Sequence, residues 1–146
     1  IAEYTKARIE KEKKQISTNE LRTLAEKMNE NEGFVFEDAI RNSDNMAFIC
    51  ECKKASPSKG IIANEFPYVD IALEYEAAGA DAISVLTEPK WFLGSNSYLE
   101  EISMTVKIPC LRKDFTIDPF MIYEAKVIGV QMTLSPSFTP RAIAAM

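Results

Sequence analysis

The sequence predicts an α/β fold in which helices cover a parallel β-sheet. Between residues 46 and 129, three short apolar segments alternate with three segments of helical periodicity. Continuous apolar strands are typical of parallel sheets that are buried on both faces, where a helix joins each strand to the next. The strand segments start at about residues 46, 81 and 108, and this spacing of roughly 30 residues suits a barrel or a doubly wound sheet.

The composition indicates one globular domain and excludes several functional classes. The chain has 146 residues, of which 47% are hydrophobic and 27% charged, and no apolar run approaches the ~20 residues of a membrane span. The net charge of −5 has the wrong sign for a general nucleic-acid binder. An odd number of cysteines, three, favours a reducing compartment, so we expect a cytoplasmic protein with no membrane partner.

The sequence contains no histidine, and this restricts the available chemistry. Ser-His-Asp and Cys-His mechanisms and the usual zinc sites with histidine ligands are excluded for this stretch. We expect no metal ion and no cofactor. Acid–base chemistry has to use Lys, Glu, Asp, Tyr or Cys side chains.

Residues 1–45 are predicted to form an N-terminal helical extension. The segment 2–15 is rich in Glu, Lys and Ala and carries a thin apolar stripe. A second helix is predicted to begin at Ser17, because Glu20 follows three residues later, as a capping box requires. Residues 36–40 predict a short further turn of helix.

Residues 46–129 are predicted to form the first three βα units, with a loop over 53–60. No G-x-G-x-x-G motif follows the first strand, which weakens the interpretation as a dinucleotide-binding sheet. The predicted strands are 46–52, 81–86 and 108–112, and the predicted helices are 68–78, 97–106 and 119–128.

Residues 130–146 break this pattern. A fourth strand is due after Gly129, but Pro136 and Pro140 are poor residues for a central parallel strand. A full barrel typically needs about 250 residues. We interpret the segment as an aberrant tail that arises from a reading-frame error or truncation near residue 130, a hypothesis that the coding DNA would test in all three frames.

Charged residues follow the predicted strands at the end where parallel barrels carry their active sites. Glu51 and Lys53 lie two residues apart and therefore share one face of the first strand. An ion pair that closes the barrel is the structural alternative to a catalytic pair. Lys113 follows the third strand, where desolvation in a confined mouth could lower its pKa and make it a general acid. A structural pairing of Lys113 with Asp114 is the alternative there.

Aromatic residues follow the second strand. Trp91 and Phe92 lie in the segment 87–95 and could line an apolar pocket for an aromatic ligand. Packing of these side chains on neighbouring helices is an equally simple interpretation.

Four stretches together resemble the indole-3-glycerol-phosphate synthase family. They read Phe-Ile-Cys-Glu-Cys-Lys-Lys-Ala-Ser-Pro-Ser-Lys-Gly over 48–60, Tyr-Glu-Ala-Ala-Gly-Ala-Asp-Ala-Ile-Ser-Val-Leu-Thr-Glu over 75–88, Phe-Leu-Gly-Ser over 92–95 and Pro-Cys-Leu-Arg-Lys-Asp-Phe over 109–115. The resemblance runs from residue 1 to about 129, and the leading helices fit it as well.

The resemblance implies an incomplete TIM (β/α)8 barrel with an N-terminal helical extension and about three βα units. It implies a carboxy-lyase of tryptophan biosynthesis that closes a pyrrole ring on 1-(2-carboxyphenylamino)-1-deoxyribulose 5-phosphate, so the expected partner is a phosphorylated small molecule. The family's second glutamate, its asparagine and its phosphate-binding loops would lie beyond residue 146. We therefore expect the isolated chain to be inactive without a complementing C-terminal half, and fusion to another pathway enzyme stays open.

The resemblance also implies roles for individual residues. Lys113 matches the lysine that acts as general acid on the substrate carbonyl. Glu51 matches a carboxylate that helps proton transfer, and Lys53 matches a cation near the substrate with an electrostatic role in decarboxylation.

The substrate-binding positions implied by the resemblance are two serines and two phenylalanines. Ser56 matches a serine that orients the glutamate, and Ser58 belongs to the same Ser-Pro-Ser segment. Phe92 and Phe115 match apolar positions near the aromatic ring of the substrate.

Two other interpretations stay open. The chain could belong to a different phosphate-binding barrel, such as an isomerase or epimerase. It could also be a non-catalytic half-barrel that associates with itself, because three strands leave a sheet edge that invites pairing.

Overall fold

A computed structural model describes residues 1–28, 34–44 and 46–130, and the backbone of 132–133. The helices are α1 (Ala2–Glu12), α2 (Thr18–Lys27), α3 (Val35–Arg41), α4 (Tyr68–Ala77), α5 (Asn96–Thr105) and α6 (Pro119–Val127). The strands are β1 (Ile49–Cys52), β2 (Ala55–Ser56), β3 (Gly60–Ile61), β4 (Ala82–Leu86), β5 (Cys110–Lys113) and β6 (Met132–Thr133).

The main sheet is parallel, as the sequence predicts. Its strand order is β1-β4-β5-β6, and every neighbouring pair is parallel. Helices α4, α5 and α6 follow β1, β4 and β5 in turn, so the alternation of strands and helices is confirmed. The prediction of a plain loop over 53–60 is wrong in one respect, because β2 and β3 form a short antiparallel ribbon there.

The principal core lies between one face of the sheet and helices α4 and α5. Side chains two residues apart on a strand point to the same face, and one such set from β1, β4 and β5 is buried against these helices. The members of this core are Cys52, Ala72, Ile83, Val85, Leu99, Ile102, Val106 and Cys110.

The N-terminal helices pack on the last described helix. Ile9 of α1 and Leu21 of α2 are buried against Phe120 and Met121 of α6. The capping box predicted at the start of α2 is confirmed, because the backbone N–H of Glu20 donates to the hydroxyl of Ser17 and the backbone N–H of Ser17 donates to the carboxylate of Glu20.

Helix α3 covers the other face of the sheet near the amino-terminal ends of the strands. Phe36 is buried against Ala82 of β4 and Leu111 of β5, and Ile40 packs beside it. These residues precede the carboxyl ends of the strands, so α3 leaves that end of the sheet uncovered.

The first strand is less buried than the sequence predicts. The strand begins at Ile49 rather than Met46, and the exposed fractions of Met46, Phe48 and Ile49 are 75%, 58% and 48%. Within the described residues β1 pairs only with β4, so its other edge and much of its side-chain surface face solvent. The prediction of a buried strand is therefore wrong for Met46, Phe48 and Ile49, whereas Cys52 at the end of β1 is buried.

The segment after Gly129 begins as a strand. Val130 packs against the principal core, and Met132–Thr133 pair with Leu111 and Arg112 of β5. Residues 131 and 134–146 lie outside the described part of the chain, so the interpretation of the tail stays a prediction.

None of the helices in the described ranges is long and apolar enough to cross a membrane.

Candidate active site

Three charged side chains meet at the carboxyl ends of β1 and β5. The Nζ of Lys53 donates to Glu51 Oε1 at 2.5 Å, and the Nζ of Lys113 lies 3.5 Å from Glu51 Oε2. One carboxylate thus bridges two ammonium groups. The structure brings together the three residues that the sequence proposes as catalytic.

The pleat of the sheet explains why these side chains meet. Cys52 and Cys110 point into the helix-facing core, so Glu51 and Lys113 point to the other face. Strand β4 lies between them, and Ser84 is the residue in register with Glu51. Strands are about 4.8 Å apart, so the long side chains of Glu51 and Lys113 reach each other across two strand spacings.

The bridging site is open to solvent. The side chains of Glu51, Lys53 and Lys113 are 28%, 33% and 42% exposed. The described residues therefore do not form the confined mouth that we expected around Lys113. A substrate has room to approach both ammonium groups.

The ribbon after β1 carries the two serines. Ser56 Oγ lies 3.5 Å from Ser58 Oγ and accepts the backbone N–H of Lys59 at 3.3 Å. Gly60 has φ +64°, a conformation that favours glycine and permits the tight turn. Among the described residues, Ser56 makes no hydrogen bond to Glu51, so an orienting role for Ser56 stays a prediction.

A buried carboxylate shapes the aromatic segment after β4. Glu88 has no exposed surface and accepts the backbone N–H groups of Lys90, Trp91 and Phe92 at 3.0, 2.7 and 3.1 Å. Gly94 closes this segment against the strand, since a Cβ there would lie 2.3 Å from the carbonyl oxygen of Leu86. The segment is thereby held at the same end of the sheet as Lys113.

The two aromatic residues of that segment have different surroundings. Trp91 packs edge-on against Tyr4 of α1, with ring centroids 5.3 Å apart, and Lys90 Nζ lies 4.7 Å from the centroid of the Trp91 ring. The structure thus favours helix packing for Trp91. Phe92 is half-buried, as is Phe115 after β5, and both keep surface that a ligand could contact.

Cys52 and Cys110 do not provide acid–base groups at this site. The pKa of the Cys52 thiol and that of the Cys110 thiol are raised to about 12. Burial is the larger cause, and the proximity of a neighbouring ionisable group is the smaller one. Both thiols therefore stay protonated near neutral pH. Within the described ranges, no group of three or more Asp, Glu or Cys side chains is placed to hold a metal ion.

Comparison with known proteins assigns this chain to a family. The model of the family described as indole-3-glycerol phosphate synthase matches residues 1–135. The chain belongs to the indole-3-glycerol phosphate synthase family. The match continues past residue 129, where the resemblance of the motifs ends.

Individual relatives support this assignment. Proteins named indole-3-glycerol phosphate synthase from Ruminiclostridium cellulolyticum, Endomicrobium trichonymphae and Lacticaseibacillus paracasei are 55%, 52% and 50% identical to this chain over 134, 134 and 130 residues. The aligned segments cover 92%, 92% and 89% of this chain but 51%, 52% and 50% of the relatives. The chain therefore spans about half the length of these indole-3-glycerol phosphate synthases.

Sequence reasoning missed a buried polar network behind Lys113. Asp114 Oδ2 lies 2.8 Å from Arg8 Nη2 of α1 and 3.5 Å from Arg112 Nη2. Arg112 is fully buried, donates to the carbonyl oxygen of Met121 at 3.0 Å and lies 2.8 Å from Glu124. The alternative pairing of Asp114 with Lys113 is therefore wrong, because Asp114 pairs with arginines on the helix side of the sheet.

One signal in the sequence could have indicated this network. The Arg-Lys-Asp segment places charges on both sides of Lys113, at alternate positions of a strand whose other residues are apolar. Alternate positions of a strand share a face, so the side chains of residues 112 and 114 lie on the same face. If that face is buried, both charges require buried partners. In this member of the indole-3-glycerol phosphate synthase family, α1 and α6 supply those partners.

Proposed function

We propose that this chain supplies the acid–base half of an indole-3-glycerol phosphate synthase active site. The observation that carries the proposal is the position of Glu51 between the ammonium groups of Lys53 and Lys113, at the carboxyl end of a parallel sheet. Active sites of (β/α)8 barrels are built at that end, and family membership makes this reaction the expected one.

The reaction would convert 1-(2-carboxyphenylamino)-1-deoxyribulose 5-phosphate to indole-3-glycerol phosphate, CO₂ and water. A bond forms between the ring carbon that carries the carboxylate and the substrate carbonyl carbon. The bond to the carboxylate then breaks and releases CO₂. The former carbonyl oxygen leaves as water, and loss of a proton completes the aromatic indole.

Each charged residue would have a distinct role in these steps. Lys113 would donate a proton to the carbonyl oxygen as it becomes a hydroxyl group, a contribution of typically about 10²–10⁴-fold in rate. Lys53 would hold the negative carboxylate before CO₂ leaves. Glu51 keeps both ammonium groups in place by charge pairing and would accept or relay the proton lost during dehydration.

The binding residues would surround this centre. Phe92 and Phe115 follow β4 and β5, the two central strands, and would contact the aromatic ring. Ser56 and Ser58 follow β1 and would contact the substrate from the ribbon. The hydrogen bonds of Glu88 and Asp114 to the backbone of Phe92 and Phe115 support these placements, because they fix the segments that carry the rings.

The same proposal covers the architecture. We propose an incomplete (β/α)8 barrel, with residues 1–45 as the helical extension, 46–129 as three βα units and 130–146 as an aberrant tail. The parallel order of β1, β4 and β5 supports the three βα units, while β6 continues the sheet over Met132–Thr133 and lends no support to the tail. The chain spans about half of its relatives, so we propose that it does not turn over substrate by itself and works in the cytoplasm only with a complementing C-terminal half.

An assay of indole fluorescence would test the function. We expect no product from the purified chain, and product when the C-terminal part of the Ruminiclostridium cellulolyticum relative is added. Lys113→Met should abolish the complemented activity, whereas Lys126→Met, at an exposed position of α6, should retain it. Complemented activity that survives Lys113→Met would contradict the proposed acid.

Self-association is a second candidate property, and the exposed edge of β1 favours it. Unpaired strand edges with apolar side chains invite pairing with another chain, and Phe48 and Ile49 are 58% and 48% exposed there. Size-exclusion chromatography with light scattering would report a defined dimer. Phe48→Lys should then give a monomer, while Met104→Lys, on the exposed surface of α5, should leave the dimer intact.

A further inference from the structure

We propose that Arg8 is a positioning residue, which links the N-terminal helical extension to the proposed general acid Lys113 through Asp114. The inference deepens the proposed function and rests on it for the role of Lys113. Arg8 and Asp114 are separated by 106 positions in the chain, yet Arg8 Nη2 donates to Asp114 Oδ2 at 2.8 Å. The side chains of Arg8 and Asp114 are only 13% and 0% exposed.

Asp114 fixes the backbone around Lys113 with both of its oxygens. Oδ1 accepts the backbone N–H of Phe115 at 2.7 Å. Oδ2 accepts the hydroxyl of Thr87 at 3.2 Å in addition to Arg8. The backbone N–H of Thr87 in turn donates to the carbonyl oxygen of Lys113 at 3.2 Å. The carbonyl group of Lys113 and the side chain of Asp114 are therefore both tied to Thr87, at the end of β4.

Arg8 supplies the charge that this arrangement needs. A fully buried carboxylate is costly unless it is paired with a cation and hydrogen-bonded. Arg112 is the other nearby cation, but its Nη2 lies 3.5 Å from Asp114, and its shorter contacts go to Met121 and Glu124. Arg8 therefore makes the closest charged contact to Asp114.

The consequence for the site follows from geometry. Lys113 points to the face opposite Asp114, and its Nζ lies 3.5 Å from Glu51 Oε2. If the Asp114 anchor is released, the backbone of residues 113–115 gains freedom and the distance from Lys113 to Glu51 is no longer fixed. The helical extension thus acts on the proposed acid without contacting the substrate.

Four variants of the chain would test the inference. Arg8→Met removes the charge and retains the aliphatic stem, and Arg8→Lys retains a charge. Arg22→Met is the matched control, because it breaks an arginine–carboxylate pair of the same extension that is exposed, with Glu26 as partner. Asp114→Asn is a second probe at the other end of the contact and keeps an oxygen for the N–H of Phe115.

The readouts are hydrogen exchange and lysine labelling, and neither requires turnover. We expect Arg8→Met to raise the exchange rate of the Phe115 amide by about tenfold, since hydrogen bonds to charged groups are among the stronger ones. Acetylation of the Lys113 amine should become several-fold faster relative to that of Lys107. Arg8→Lys should restore much of both values, Asp114→Asn should resemble Arg8→Met, and Arg22→Met should change neither.

Two results would overturn the inference. One is an Arg8→Met chain in which Phe115 exchange and Lys113 labelling are unchanged. The other is a uniform increase across all amides and lysines, which would give Arg8 a role in general stability alone. Because these measurements do not depend on indole formation, the inference and the proposed function can fail separately.

Discussion

The carboxylate of Glu51 and the ammonium group of Lys113 lie 3.5 Å apart although strand β4 separates their strands. In β4, Ser84 is in register with Glu51 and Leu86 is in register with Lys113. Glu51 and Lys113 therefore meet diagonally across β4, on the same face of the sheet and two residues apart in register.

We predict that Glu51→Gln lowers the complemented indole-forming activity by about 100-fold or more, because a positioned proton-transfer group is worth about 10²–10⁴-fold. Its loss also leaves Lys53 and Lys113 without the carboxylate that bridges them. The measurement is the initial rate of indole fluorescence at saturating substrate. Glu100→Gln, at an exposed position on α5, is the control and should keep full activity. Equal rates for the two variants would remove Glu51 from the mechanism.

The sequence predicted much of this centre because it depends on local periodicity. The two-residue repeat of a strand places Glu51 and Lys53 together and separates them from Cys52. The alternation of apolar strands with helices predicts that β1 and β5 are parallel, so that their carboxyl ends lie at one edge. Lys113 joins the pair for that reason.

The remaining features depend on contacts that no local pattern encodes. Arg8 and Asp114 are 106 positions apart, and nothing in the charged face of α1 distinguishes Arg8 from its exposed neighbours. The partners of Glu88 are backbone N–H groups, so no residue type in the sequence identifies them. The exposure of β1 depends on which strands pair with it, and its own apolar residues predicted the opposite.

We predict that Glu88→Gln destabilises the chain by about 2 kcal/mol, because an amide places a donor group beside backbone N–H donors and weakens hydrogen bonds to a charged acceptor. The free energy of unfolding from urea denaturation is the measurement. Glu74→Gln, at an exposed position of α4, should stay within about 0.5 kcal/mol of the parent chain. A Glu88→Gln chain as stable as this control would show that the buried carboxylate does not hold the aromatic segment.

We predict that Gly94→Ala is more destabilising than Gly79→Ala. A Cβ at residue 94 would lie 2.3 Å from the carbonyl oxygen of Leu86, so the backbone has to move, and overpacking of this kind costs typically about 1–3 kcal/mol. Gly79 has φ +90° but no atom within 4 Å of such a Cβ, so the cost there is conformational, about 1–2 kcal/mol. Urea denaturation of both variants would give the order. Gly94→Ala should also reduce complemented activity because Phe92 moves, and the reverse order of stability would contradict the close approach.

We predict that stability falls as the pH rises above about 9, owing to two buried thiols. Burial raises the pKa of Cys52 and that of Cys110 from 9.0 to about 12. At a pH between these two pKa values, the unfolded chain therefore loses thiol protons that the folded chain keeps. Folding stability therefore decreases with pH in this window, by at most about 1.4 kcal/mol per pH unit for each thiol. Urea denaturation at pH 8, 9 and 10 measures the slope. The double variant Cys52→Ala with Cys110→Ala should be less stable at pH 8 but show a flatter decline. A double variant that declines as steeply as the parent would assign the pH dependence to other groups.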